Sequence, residues 1–132
     1  MLPKVIRQQD YPFFALGWAI VITLVSSIPH LQIKSAVGIP EFDKYVHVII
    51  FGILAYLLSG TIQGHLNSWK KYSQILIVFC FIVVFGFLDE LHQSTVAGRS
   101  SSWRDLVADG FGGLIGASLY QFFQNKTKRI IK

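Results

Sequence analysis

The stretch FGFLDELHQSTVAGRSSSWRDLVADGFGGLIG, from Phe85 to Gly116, decides the fold, because it starts inside one apolar segment and ends inside the next. Between these apolar ends it carries a dense group of polar and charged side chains: Asp89, Glu90, His92, Gln93, Arg99, Arg104, Asp105 and Asp109. Charged groups beside membrane-length segments are costly unless they are solvated, paired or used. We therefore expect a polar site where two membrane-spanning helices end.

The composition is that of an integral membrane protein. Hydrophobic residues make up 52% of the 132 residues and charged residues 14%, whereas an average soluble domain is about 25% charged. The apolar residues also occur in blocks, which is typical of membrane spans. We predict one domain over residues 1–132, with membrane lipids as partners and no nucleic acid.

Four apolar segments predict an all-α bundle of four transmembrane helices. The predicted spans are about 11–29, 44–60, 72–88 and 106–123. The chain starts like a signal peptide, with Lys4 and Arg7 before an apolar run, but the run is long and has no clear cleavage site, so we predict a retained first span. Pro29 should close this span, a loop with Gly38-Ile39-Pro40 should follow, and residues 61–71 should form a polar turn.

The basic residues are divided unequally between the two predicted sides of the membrane. Eight lie on the side of the termini: Lys4, Arg7, Lys70, Lys71, Lys126, Lys128, Arg129 and Lys132. Four lie on the other side: Lys34, Lys44, Arg99 and Arg104. Lysine and arginine accumulate on the cytoplasmic side, so we predict that both termini are cytoplasmic. Six of the seven acidic residues, all except Asp10, then lie on the outer side.

Three predicted helix ends carry polar residues at helical spacing on that outer side. These are Asp43 with His47 at the start of span two, Asp89, Glu90 and Gln93 at the end of span three, and Asp105 with Asp109 at the start of span four. Residues four apart share a helix face. The three sets can therefore point inward from their helices and line one pocket.

Some of these carboxylates have a structural alternative. Asp43 and Asp105 are placed to cap the starts of spans two and four, where the helix dipole is positive. His47 and Asp109 lie one turn further inside, so capping does not explain them. An intramembrane histidine close to buried carboxylates favours a functional site.

The two arginines of the loop leave two alternatives open. Arg99 and Arg104 can neutralise the carboxylates in a structural ion network, or they can bind an anionic headgroup. The predicted ligand-binding set is Asp43, His47, Asp89, Glu90, Gln93, Arg99, Arg104, Asp105 and Asp109.

A divalent metal ion is a further candidate ligand. The residues competent to bind it are Asp43, His47, Asp89, Glu90 and Asp109. Their spacing matches no compact metal motif such as H-E-x-x-H. The chain also has no serine or cysteine nucleophile motif and no glycine loop for phosphate, and its single cysteine, Cys80, is expected to be a buried thiol.

Gly112 and Gly116 form a G-x-x-x-G pattern in span four. Small residues at this spacing let two helices approach closely. We expect the pattern to pack span four inside the bundle, and a homodimer through the same glycines is the alternative.

The motifs in this order resemble the VanZ-like family of small bacterial integral membrane proteins. The matching residues are Asp43-Lys44-x-x-His47, Asp89-Glu90-x-x-Gln93, Gly98-Arg99-Ser100 and Asp105-x-x-x-Asp109 with Gly112 and Gly116. Two positions depart from the family pattern, since Ala97 stands where proline is frequent and Asp109 where asparagine is frequent. The resemblance implies a multi-pass protein of the bacterial inner or plasma membrane. The family is named for a member associated with resistance to the glycopeptide teicoplanin.

Three functional hypotheses remain open from the sequence. In the first, a non-enzymatic envelope protein binds a lipid or headgroup anion, such as a lipid-linked envelope precursor, in an outward-facing pocket. In the second, a membrane-embedded hydrolase or transferase acts on a lipid phosphate, with Glu90, Asp89 or His47 as general base. In the third, the charged residues only hold the bundle together.

Overall fold

The computed structural model describes residues 6–29 and 41–130, and within these residues the chain is all-helical, without strands. The four α-helices are α1 (Tyr11–Ser26), α2 (Phe42–His65), α3 (Lys71–Thr95) and α4 (Trp103–Ile130), and a single 3₁₀ turn at Gln8–Asp10 precedes α1. The predicted all-α fold is confirmed. A loop is predicted over residues 30–43; residues 30–40, with Lys34 and Gly38-Ile39-Pro40, lie outside the described residues, as do Lys4 and Lys132. The end of this predicted loop is wrong, because α2 already begins at Phe42.

The helices differ in length from the predicted spans. Both α2 and α3 continue past the apolar runs, α2 into the predicted turn as far as His65 and α3 through Glu90 to Thr95. An apolar run shows which part of a helix lies in an apolar environment, and it does not show where the backbone hydrogen bonds of the helix end. The residues past each run include good helix formers, so the helices continue. In contrast, α1 ends at Ser26, three residues before Pro29, because a proline disfavours helical geometry in the residue that precedes it.

Two helices, α2 and α3, are long and apolar enough to cross a membrane. Their most apolar windows are only 39% and 28% buried within the molecule, so most of the apolar surface of these helices faces outward. Cys80 lies on this outward surface of α3, and the prediction of a buried thiol is therefore wrong. The other two described helices do not meet the same criterion; α1 has sixteen residues, a length of about 24 Å.

The backbone of α4 lies directly against that of α2. A Cβ atom on Gly112 would overlap the carbonyl oxygen of Val48, and a Cβ atom on Gly116 would overlap the carbonyl oxygen of Gly52. The predicted packing role of the glycine pattern inside the bundle is confirmed, while homodimerisation stays a prediction. This contact holds the starts of α2 and α4 side by side.

The apolar core lies in the middle of the bundle, and all the buried acidic residues lie at one end of it. The core is formed by Ile22, Phe51, Leu54, Ala55, Val78, Ile82 and Ala117. Trp18 ties α1 to α2, since its indole Nε1 donates to the carbonyl oxygen of Ile50 at 2.8 Å. With the helices running alternately up and down, the ends of α1 and α3 meet the starts of α2 and α4, and that end carries the candidate site.

We expect Gly116→Ala to destabilise the protein by about 1–3 kcal/mol, because the added methyl group meets backbone that cannot move aside. Gly17→Ala is the matched control, since a Cβ atom there meets nothing within 4 Å. Thermal unfolding of the purified protein in lipid nanodiscs measures both variants. Equal midpoints for the two variants would contradict the close contact between α2 and α4.

Candidate functional site

Three side chains from three helices meet in the interior at the polar end. One nitrogen or carboxylate oxygen each from His47, Glu90 and Asp109 lies within 4.8 Å of the corresponding atoms of the other two. His47 Nδ1 is 2.8 Å from Asp109 Oδ1, and its ring stacks on Phe51 with 6.0 Å between ring centroids. Asp109 is only 1% exposed and Glu90 only 6%. We call these three residues the inner triad.

Two oxygen atoms of the inner triad have no hydrogen-bond partner among the described residues. Glu90 Oε2 accepts the backbone N–H of Ser102 at 2.6 Å, but the buried Oε1 accepts nothing, and the buried Asp109 Oδ2 likewise accepts nothing. Gly86 gives Asp109 its room, because a Cβ atom at that position would lie 2.8 Å from Oδ2. Buried polar atoms are usually paired, so these two oxygens need an explanation.

Lys44 joins the first turns of α2 and α4. Its Nζ lies 2.7 Å from Asp43 Oδ2 and also forms an ion pair with Asp105 Oδ1. The predicted capping role of Asp43 is wrong, because Glu41 occupies the N-cap position and Asp43 lies inside the first turn. Asp105 likewise lies in the first turn of α4. Both carboxylates are thus bound to a lysine between the two helices.

Asp89 links α3 to α1. Its Oδ2 accepts the hydroxyl of Ser26 at 2.8 Å and the amide of Gln93 at 2.7 Å. The carbonyl oxygen of the same glutamine accepts a guanidinium N–H of Arg99 at 2.7 Å. Gly98, directly before this arginine, has a φ of 75°, a left-handed conformation that glycine adopts without strain. These bonds occupy Asp89 with structural contacts.

A groove of about 350 Å³ opens between the starts of α2 and α4. Its polar end has Glu41, Lys44 and Arg104, and its remaining lining is Val48, Trp103, Val107, Ala108 and Phe111. Arg104 Nη1 donates to Glu41 Oε1 at 3.1 Å, and the two side chains are 61% and 55% exposed. The groove thus has charged groups at one end and apolar walls below them.

All nine predicted ligand-binding residues lie at the same end of the bundle, but they form separate groups. His47, Glu90 and Asp109 form the inner triad, while Asp43 and Asp105 pair with Lys44. The remaining members divide as follows: Asp89, Gln93 and Arg99 in the α1–α3 network and Arg104 in the groove.

Sequence reasoning missed three of the polar partners. Lys44 stands next to Asp43 in the sequence, which is a usable signal for an ion pair. Ser26 is a polar residue at the end of an apolar run, and its partner is 63 positions away. Ser102 acts through its backbone N–H, which no side-chain pattern can indicate.

We expect Ser26→Ala to destabilise the protein by about 1–2 kcal/mol, since it removes a donor from a buried carboxylate. Ser94→Ala is the control, because this exposed hydroxyl at the same end of α3 donates only to the carbonyl oxygen of Leu91. Thermal unfolding in nanodiscs compares them. A Ser26→Ala protein as stable as the Ser94→Ala protein would contradict the α1–α3 link.

The family assignment rests on most of the chain. A family model described as VanZ/LLP1 matches residues 6–124, a range that contains α1, α2, α3 and all nine candidate residues. No curated protein and no solved structure matches the chain. The resemblance predicted from the spaced motifs is confirmed: the chain belongs to the VanZ/LLP1 family.

Proposed function

We propose that the chain is a multi-pass protein of a bacterial inner membrane, with four spanning helices and both termini in the cytoplasm. Large apolar side chains are exposed on every helix, among them Phe13, Ile49, Phe81 and Phe111. Exposed apolar patches this extensive are unusual on water-soluble proteins. The short α1 is compatible with spanning, because a bilayer thins locally around a short helix at modest cost.

Within this membrane, we propose that the protein binds the anionic headgroup of an envelope lipid, such as a lipid-linked precursor. The observation that carries this proposal is the groove between α2 and α4, with Arg104 at its rim and Val107 and Phe111 along its wall. A lipid has the same division, with a charged phosphate joined to apolar chains. Trp103 at the rim fits the level of the headgroups, where tryptophan is enriched.

In this proposal, a lipid phosphate replaces Glu41 as the ion-pair partner of Arg104. An exposed ion pair such as Arg104 with Glu41 contributes only about 0–1 kcal/mol. A phosphate offers the guanidinium two parallel charge-assisted hydrogen bonds, which are stronger than an exposed pair. Lys44, by comparison, is held by two carboxylates. Arg104 is therefore the phosphate ligand in this proposal.

We expect Arg104→Ala to weaken binding of polyprenyl phosphate about tenfold, equal to about 1.4 kcal/mol for one charge-assisted contact. Lys70→Ala, at the other end of the bundle, should bind as the wild type does. Purified protein in nanodiscs is offered polyprenyl phosphate, polyprenyl diphosphate or phospholipid, and bound lipid is measured by mass spectrometry. Equal retention of every lipid by wild type and Arg104→Ala would overturn the headgroup site.

A second candidate function is a hydrolase or transferase that acts on the phosphate of such a lipid. The contact of 2.8 Å between His47 Nδ1 and Asp109 Oδ1 favours it, because a carboxylate that orients an imidazole is a frequent arrangement of a general base. Asp89 is less suited to this role, since Ser26 and Gln93 occupy it. In the same mass-spectrometric assay, a new lipid product that His47→Gln fails to make supports the enzyme, and unchanged lipid supports binding alone.

The link to glycopeptides is part of the proposal as well. A protein that holds an envelope lipid can alter how glycopeptides such as teicoplanin reach the cell surface. Loss of function in Arg104→Ala should then remove any protection against teicoplanin that the wild type confers on a susceptible host.

The proposed orientation is testable with a thiol reagent that does not cross membranes. In a Cys80→Ala background, Ser101→Cys should be labelled from outside intact cells, and Ser68→Cys should be labelled only after the cells are opened. Both serines are exposed and lie in connections at opposite ends of the bundle. Labelling of Ser68→Cys in intact cells would invert the topology.

A further inference from the structure

We propose that the inner triad is a binding site for one first-row transition-metal dication, of the Zn²⁺ or Mn²⁺ type, with His47, Glu90 and Asp109 as the protein ligands. This inference goes beyond lipid binding. It concerns the interior of the bundle, whereas the headgroup groove lies on its outer surface.

Neither buried carboxylate of the triad has a lysine or arginine partner among the described residues, whereas Asp43, Asp105 and Glu41 at the same end do. Asp109 pairs only with the imidazole of His47, which is a cation only when it is protonated, and Glu90 accepts a backbone N–H. A carboxylate that is buried without a cation is strongly unfavourable. A dication would neutralise both carboxylates at once.

Each carboxylate of the triad also has one oxygen without a partner among the described residues. Asp109 Oδ2 and Glu90 Oε1 are buried and accept no hydrogen bond from the described residues, while the second oxygen of each side chain is bonded. Asp109 is 99% buried and is held at the triad through His47. Glu90 is thus positioned by a backbone N–H from outside the triad, while its other oxygen is left for a ligand.

The distances within the triad are close to those around one metal ion. Ligand atoms around a four-coordinate Zn²⁺, at about 2.1 Å from the metal, lie about 3.4 Å from one another. The three candidate atoms already lie within 4.8 Å of one another, so each distance has to shorten by about 1.4 Å at most to reach this value. The residues come from α2, α3 and α4.

The donor set selects the class of metal. One imidazole with two carboxylates is a mixed nitrogen and oxygen set, whereas Mg²⁺ and Ca²⁺ prefer oxygen alone. Zn²⁺ should bind more tightly than Mn²⁺, as the general order of affinities for divalent metals requires. Three protein ligands also leave a coordination position for water or another oxygen.

The test uses untagged, full-length protein in nanodiscs, first stripped with a chelator. Zn²⁺ alone or Mn²⁺ alone is added, unbound metal is removed by gel filtration, and bound metal is counted by mass spectrometry. We expect one Zn²⁺ per chain, and an affinity reduced by about tenfold or more in Glu90→Gln and Asp109→Asn. Asp10→Asn is the control and should bind Zn²⁺ as the wild type does, because this carboxylate lies at the other end of the bundle and pairs with Arg7.

X-ray absorption on the zinc-loaded wild type keeps the proposal testable even where a variant fails to fold. It should show one imidazole and otherwise oxygen ligands. Less than half an equivalent of Zn²⁺ per wild-type chain, more than one imidazole, a sulfur ligand, or equal competition by Mg²⁺ would overturn the site. An equal loss of metal in Asp10→Asn would do so as well. Lipid binding that fails while Zn²⁺ binds would reject the headgroup groove and leave the metal site intact.

Discussion

Two glycines of α4 let its backbone lie directly against carbonyl oxygens of α2, and the polar end of the molecule depends on this contact. Gly112 and Gly116 meet Val48 and Gly52. Asp109 lies one turn before the first of these glycines and therefore reaches the neighbouring helix at the level of His47. Larger residues in place of the two glycines would push the starts of α2 and α4 apart. The ion pairs of Lys44, the inner triad and the groove all depend on the distance between these two helices.

The carboxylates at this end are stabilised in three different ways. Asp43 and Asp105 share a lysine, and Asp89 accepts a hydroxyl and an amide. The inner triad has an imidazole and one backbone N–H, which leave two oxygens unpartnered among the described residues. The first two arrangements are structural contacts that connect neighbouring helices. The third is unfavourable in an interior unless something else binds there. The inner triad is therefore a candidate for ligand binding, whereas the other two groups are structural.

Much of this arrangement could be predicted from spacing. Residues four apart, such as Asp105 and Asp109, share a helix face whatever the tertiary structure, and the glycine pattern implies a close helix contact. Which partner each carboxylate finds could not be predicted, because that depends on how the helices are rotated against one another. The ends of α2 and α3 were also missed, since an apolar run reports the environment of a helix and not the extent of its backbone hydrogen bonds.

The groove lies on the outer face of the bundle, so a ligand that binds there would approach from the side. Its wall is built from Val107 and Phe111, which are both 60% exposed on the outer face of α4. In a bilayer, this face would open sideways toward the acyl chains. An amphiphile could then enter by lateral diffusion without leaving its leaflet, so the search would be two-dimensional. Occupancy would follow the mole fraction of that lipid in the membrane and not its concentration in water.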